Sequence, residues 1–183
     1  TNVVSATGGV DRVLSSLANY TLTSNVENLF LTGTAAINGT GNGLNNVIGG
    51  NTSANSLNGG DGMDSLAGGA GNDTLNGGFG NDTLTGGLNA DTFRFDSPLN
   101  ATTNRDLITD FTLAQGDLIQ LENSVFTTLT TTGTLAAGAF FSGTDATTAD
   151  HRILYNSTTG VLSFDSDGTG AAGAIAFSTL SPG

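Results

Sequence analysis

Residues 59–94 read GGDGMDSLA, GGAGNDTLN, GGFGNDTLT and GGLNADTFR, four consecutive copies of one nine-residue unit. Each copy opens on two glycines, carries Asp in sixth place and places one large apolar residue eighth. Asp64, Asp73, Asp82 and Asp91 are therefore nine apart, and so are Leu66, Leu75, Leu84 and Phe93. A fixed internal period sets architecture ahead of any local propensity. Glycine at this density excludes a helix, and segments such as Thr74-Leu75-Asn76 are too short for a hairpin meander. Each suits a very short strand with its Leu inward and its neighbours outward. The remaining solution is all-β: a flat solenoid in which two units make one coil of 18 residues. Leu57, Leu75 and Phe93 then stack in one sheet, and Leu66 and Leu84 in the other. Parallel crossovers of this kind are expected to be right-handed.

One buried Leu per unit is a thin core. Ordering nine glycine-rich residues costs more conformational entropy than that side chain returns, and ladder hydrogen bonds add only modestly in net terms. Something else has to bind the folded state, and the sixth-position Asp identifies it. Asp64 precedes Asp82 by 18 residues, as Asp73 precedes Asp91, so one coil later the carboxylates stack at about 4.8 Å. That arrangement is repulsive unless a hard cation lies between them, with turn carbonyls completing an oxygen cage. The ligand chemistry is that of calcium; magnesium, which keeps its waters and a strict octahedron, fits worse. The alternative is that Asp and Gly simply mark generic turns, and uninterrupted repetition counts against it.

The unit GGxGxDxUx resembles the nonapeptide of the RTX (repeats-in-toxin) calcium-binding family. The resemblance implies a right-handed parallel β-roll, export through a type I secretion apparatus, and folding on meeting extracellular calcium. It also implies a ligand set, in which each ion lies between one turn and the turn two units on. Carried onto this chain, one ion takes Gly60, Gly62, Asp64, Gly77, Phe79 and Asp82, and the next takes Gly69, Gly71, Asp73, Gly86, Leu88 and Asp91. Gly78, Gly80 and Asp82 contribute to a third. Asn89 stands where the unit has its fourth-position glycine, a mild departure because Asn tolerates left-handed backbone.

The 183 residues carry sixteen acids against four arginines and no lysine, a net charge of −12. This balance leaves no basic footprint for nucleic acid or an anionic membrane, and divalent cations are the fitting counter-charge. Without cysteine, neither disulfides nor thiolate metal sites are available. With 37% apolar residues in ordered repeats, disorder is expected for the calcium-free form alone. No basic segment followed by an apolar run marks a cleavable signal peptide, and no apolar stretch approaches the roughly 20 residues of a membrane span. The pattern at Thr1 reads as a piece of a longer protein.

Residues 1–48 show short β-prone clusters, Val3-Val4, Val13-Leu14, Tyr20-Thr21-Leu22 and Leu29-Phe30-Leu31, between Gly, Asn and Ser. Ile37, Val47 and Leu57 fall ten apart, a loosened form of the later spacing. These residues are expected to be early coils or an N-terminal cap, metal-poor because Asn replaces Asp in their turns. Residues 49–58 read as a unit with one inserted residue and Asn55 in the acid position, where it is a candidate partner for Asp73. The calcium-binding roll is assigned to residues 49–95 and an antiparallel β cap to residues 96–183. Asp106-Leu-Ile-Thr-Asp110-Phe111 and Gly116-Asp117-Leu-Ile-Gln-Leu121 resemble the DxIxDFxxGxDxIxL segment that follows the roll in serralysin-type proteases. There it packs on the open end, and Asp106, Asp110 and Asp117 become candidates for the missing half of the third site, against solvated capping acids. Beyond Val125, residues 152–155 and 161–164 flank a five-residue hairpin loop at 156–160, and residues 174–177 suit a third strand. Asp165-Ser-Asp167-Gly168-Thr-Gly170 has the spacing that begins a calcium loop, but no Glu follows in twelfth place. A tight acidic turn at Asp165 and Asp167 is the better reading.

No catalytic constellation emerges. One histidine, His151, cannot build a His-based zinc site, and neither HExxH nor GxSxG occurs. Acids abound, but the repeat Asps are accounted for by the cation, and Trp is absent as a sugar platform. The expected function is a non-catalytic calcium-binding module of a larger secreted or cell-surface protein, monomeric in isolation. Its alternatives are a stiff spacer in a surface-layer protein or adhesin, and the C-terminal fragment of a secreted hydrolase. The family's export signal ends in apolar residues, which residues 178–183 lack.

Overall fold

A computed structural model describes residues 9–181; Val3-Val4 and the last two residues lie outside that range. Strands alternate between two sheets in chain order: β1 (Arg12–Ser15), β2 (Asn19–Thr21), β3 (Asn28–Leu31), β4 (Asn38–Thr40), β5 (Val47–Gly49), β6 (Ser56–Asp61), β7 (Ser65–Ala70), β8 (Thr74–Phe79), β9 (Thr83–Leu88), β10 (Thr92–Phe95), β11 (Asp106–Ile108) and β12 (Leu118–Leu121). Odd-numbered strands stack in one sheet and even-numbered strands in the other, and every neighbouring pair among them is parallel. This is the β-roll expected from the repeats. Four more strands, β13 (Phe140–Ser142), β14 (Ile153–Asn156), β15 (Val161–Phe164) and β16 (Ile175–Leu180), bring the first sheet to ten strands while the second stays at six. The sole helical turn among the described residues is the 3-10 segment Ala137–Ala139. No helix there is long and apolar enough to cross a membrane.

Register follows the repeat. Leu57 pairs with Leu75 and Leu75 with Phe93 in the six-stranded sheet, while Leu66 pairs with Leu84 in the other. All five are at most 1% exposed. The strands are six residues long rather than three, because the glycine pair continues the ladder: Gly60 opposes Gly78 and Asp61 opposes Phe79. Positive φ at Gly60 and Gly78 (102° and 98°) lets the chain stay in register while turning.

The early coils depart from the expected spacing by one residue. Ile48, and not Val47, faces the core: Ile48 is 0% exposed and pairs with Leu66, whereas Val47 is 43% exposed. Side chains alternate across a strand, so this one-residue difference decides the face. Ile48, Leu57 and Leu66 are then nine apart, and residues 50–58 form an uninterrupted unit with no insertion. The inward position opposite Leu57 is Gly39. A side chain there would meet Leu29, which already fills the space.

After the repeats, β11 joins β9 and β12 joins β10, so the segment at the open end adds one more coil, through longer loops. β16 then pairs in parallel with β11 and antiparallel with β15, which is antiparallel to β14. The antiparallel cap is present, with parallel pairing also at β13–β14. The hairpin loop is one residue shorter than expected, because Asn156 pairs with Val161 inside the ladder. Its side-chain oxygen accepts from the N–H groups of Thr158 and Thr159. The core ends in edge-to-face aromatic pairs, Phe95–Phe177, Phe126–Phe177 and Phe126–Phe164, with centroids 5.1–5.2 Å apart.

The register makes a direct prediction. In calcium, Ile48→Ala should lower unfolding stability by about 2–5 kcal/mol, whereas Val47→Ala should change it by about 0.5 kcal/mol or less. Denaturant melts would show this, and a larger loss for Val47→Ala would contradict the register.

Candidate metal centres in the turns

Each repeat Asp stands where the chain leaves a turn and enters a strand, two residues before an inward Leu or Phe. Parallel stacking places these carboxylates in two files, one on each side of the roll. The first runs Asn46, Asp64, Asp82, Asp106; the second runs Asn55, Asp73, Asp91, Asp117. One oxygen of each acid is used to tie coil to coil. Asp64 Oδ1 accepts from the Asn46 N–H at 2.7 Å, Asp82 Oδ1 from Asp64 at 2.8 Å, and Asp106 Oδ1 from Asp82 at 3.1 Å. Across the roll, Asp73 accepts from Asn55 at 2.7 Å, Asp91 from Asp73 at 2.9 Å, and Asp117 from Asp91 at 3.0 Å.

The second oxygen has no partner. Asp64, Asp73, Asp82 and Asp91 are 1–3% exposed, and the Oδ2 of each is buried without a hydrogen bond. Seven buried side-chain polar atoms lack a partner among the described residues, and four of them are these oxygens. Buried polar atoms are almost always satisfied, so four equivalent exceptions at one repeat position need a common cause. Gly59 and Gly68 define the space in front of two of them. A Cβ at Gly59 would run into Asp64 Oδ2 and the Gly77 carbonyl, and one at Gly68 into Asp73 Oδ2 and the Gly86 carbonyl. Each cradle thus gathers a carboxylate oxygen and a carbonyl oxygen from the turn 18 residues on.

Other residues expected as ligands fall on the same stacked turns. The Gly60, Gly62 and Gly69 carbonyls lie close against Gly78, Gly80 and Gly87. The Phe79 and Leu88 carbonyls accept from the N–H groups of Gly62 (2.9 Å) and Gly71 (3.2 Å). Gly80 and Asn89 both have positive φ, 135° and 82°, so Asn fills the glycine's role at that position.

Remaining candidates separate by what their oxygens already do. Asp106 stands beside Asp82 and Asp117 beside Asp91, each at the end of its file. Asp110 accepts from the N–H groups of both Gly86 (2.9 Å) and Gly87 (2.8 Å), which fixes it as a cap on that turn. Asn55 accepts from the Asn51 N–H and donates to the Ile37 carbonyl, so its side chain is satisfied. Asp165 Oδ1 accepts from the Asp167 and Gly168 N–H groups, and Asp167 Oδ2 from Ala172, the bonding of a tight acidic turn. The places of Asp106 and Asp117 were legible in one signal: Asp106-Leu-Ile and Asp117-Leu-Ile repeat the Asp-x-apolar step of Asp82-Thr83-Leu84.

Burial raises these carboxyls from their ordinary 3.8, Asp64 to about 7, Asp73 to about 6 and Asp106 to about 8. Neighbouring carboxylates add to it, Asp82 acting on both Asp64 and Asp106. Asp82 and Asp91 shift upward for the same leading reason. The files therefore resist being charged and close together without a cation. No three acidic, His or Cys side chains converge on one point among the described residues. Each centre offers carboxylates two at a time, and backbone carbonyls supply the other oxygens, a hard all-oxygen donor set that suits calcium.

Comparison with known families agrees with this donor set. The profile of the RTX calcium-binding nonapeptide repeat (4 copies) matches residues 40–75 and 58–93. A search of curated proteins finds no match to the chain. Repeats of this family bind calcium ions, and the nonapeptide repeats of this chain are similar to them over residues 40–93.

Proposed function

We propose that the chain is a calcium-dependent folding module of a larger secreted protein, crossing a type I secretion apparatus unfolded and folding outside the cell. The observation that carries this reading is the set of four buried, unpartnered Oδ2 atoms, spaced nine residues apart along two files. Two centres are the best defined. Asp64, Gly77 and Asp82, with Gly60, Gly62 and Phe79, would hold one ion; Asp73, Gly86 and Asp91, with Gly69, Gly71 and Leu88, would hold the next. A third would use Gly78, Gly80 and Asp82, with Asp106 on its far side. The bound ion supplies positive charge between carboxylates that otherwise repel.

Coupling to export follows from linkage. A ligand that binds only the folded state stabilises it by RT ln(1 + [L]/Kd) per site. Where calcium is scarce, the acidic coils lose that term and keep their repulsion, leaving an extended chain that can be threaded. Where calcium is abundant, the same coils close. In this reading the repeats are non-catalytic, and activity belongs to other parts of the parent protein.

Two outcomes test the pairing and its electrostatics. Asp82 touches the centres on both sides of its turn, so Asp82→Ala should raise the calcium midpoint for folding more than Asp64→Ala does. Circular dichroism titrations would show it, and equal midpoints would contradict the pairing. The second concerns pH in excess EGTA. Because these carboxyls are raised in the folded state, their stabilisation as neutral acids is complete below about pH 4 and lost as pH rises through about 6 to 8. Acidifying the calcium-free chain from pH 8 to pH 5 should therefore increase β structure, and a decrease would contradict the account.

A further inference from the structure

The early coils carry asparagine where the later ones stack open carboxylates. Their two acids, Asp11 and Glu27, are joined by the Asp11 N–H donating to Glu27 Oε2 at 2.7 Å, and neither leaves a buried oxygen unpartnered. Read along the sixth-position register, one side runs Asp11, Glu27, Asn46, Asp64, Asp82 and the other runs Ile37, Asn55, Asp73, Asp91. Asn46 and Asn55 are 1% and 4% exposed, and both close their turns with hydrogen bonds alone. Asn46 Nδ2 donates to the Val26 and Glu27 carbonyls at 3.2 Å, and its Oδ1 accepts from the Asn42 N–H at 2.7 Å. Asn55 Nδ2 donates to Ile37 at 2.6 Å, and its Oδ1 accepts from Asn51 at 2.8 Å.

The second position of the unit changes together with the sixth. Asn42 and Asn51 occupy it in these two turns, and Gly60, Gly69, Gly78 and Gly87 occupy it afterwards. Where it is Asn, its N–H meets the sixth-position oxygen and its own Nδ2 bonds the preceding coil, Asn42 to Thr23 and Val26 and Asn51 to Ala35. Where it is Gly, φ is positive and the sixth-position Oδ2 is left open. In these early turns the Oδ1 of Asn46 and the Gly59 carbonyl crowd Gly41, as Asp64 Oδ2 and the Gly77 carbonyl crowd Gly59. The cradle is the same, but an amide hydrogen fills the role left to a cation later on. Charge divides at the same place. Residues 9–58 contain two acids, Asp11 and Glu27, with one arginine, whereas residues 59–117 contain nine acids. Leu22, Val26, Leu31 and Ile37 also add buried apolar area to the early coils.

We infer that residues 9–58 form a calcium-independent template. These coils fold with their turns satisfied by Asn46, Asn55 and the Asp11–Glu27 bond, and their free strand edges, β5 and β6, are the surface on which the acidic coils are laid when calcium arrives. Laying a coil on an existing edge avoids the cost of nucleating a parallel pair from two disordered segments. The inference rests on the calcium-dependent folding proposed above, and hydrogen exchange read by mass spectrometry on the full chain separates the two.

In EGTA at neutral pH, amides of β1–β5 should exchange slower than the unstructured rate by about tenfold or more, while those of β7–β10 exchange freely. In calcium both should be protected. No protection anywhere in EGTA, or protection confined to residues 96–181, overturns the template while leaving calcium-dependent folding intact. Full protection of β7–β10 in EGTA overturns calcium-dependent folding and the template with it. The double variant Asn46→Asp, Asn55→Asp supplies the second readout. It should fold in calcium and lose the EGTA-resistant protection of β1–β5, and retention of that protection would overturn the role given to the two amides.

Discussion

The fold depends on stacking like-charged carboxylates at the spacing of a parallel sheet. Strands in neighbouring coils lie about 4.8 Å apart, and every 18 residues the turn returns an Asp to the same place. One oxygen of each Asp is committed to the backbone of the coil before it, which fixes register and leaves the other oxygen buried with no donor in reach. Burial makes the ionised form of these acids costly. A cation resolves both problems, by neutralising the file and by giving the open oxygens a partner. The glycines are consequences of the same arrangement. Gly59 and Gly68 lack side chains because the space that a Cβ would take belongs to a carboxylate and a carbonyl oxygen.

The ends of the roll are closed by other means. Toward the C-terminus, the coil formed by β11 and β12 contributes Asp106 and Asp117 to the two files, and phenylalanines from four separate segments seal the core. Arg94 bridges Asp96 and Glu122 at 3.3 and 3.2 Å, supplying a fixed positive charge where the repeat pattern stops. Toward the N-terminus, asparagine amides and larger aliphatic side chains replace the acid–glycine turns. The acidic repeats thus lie between segments that close on hydrogen bonds and hydrophobic contact.

Most of the roll was legible because its period is strict. Nine-residue spacing of Leu and Asp gave the sheet partners Leu57–Leu75–Phe93 and Leu66–Leu84, the parallel stacking, and the facing of Asp64 with Asp82. It misled where composition blurred the period. Val47 and Ile48 are both β-branched and adjacent, so hydrophobicity does not choose between them; the turn does, because Asn46 must occupy the sixth position to bond Val26 and Glu27. Strands exceed the expected three residues because the glycines, which have turn chemistry, here continue the ladder. Long loops break the period before Asp106 and Asp117, and the Asp-x-apolar step alone carries their places across the gap. The return of β16 beside β11 rests on contacts between residues about 70 apart, and no local pattern announces it.

The most direct test of the central claim is the dependence of unfolding free energy on calcium concentration, measured by denaturant melts across several decades of free calcium. Each site occupied only in the folded state adds about 1.4 kcal/mol per tenfold increase once calcium exceeds its dissociation constant. The two best-defined centres predict a slope of at least twice that value, with magnesium giving a much shallower one. A stability that does not change with calcium would contradict the account.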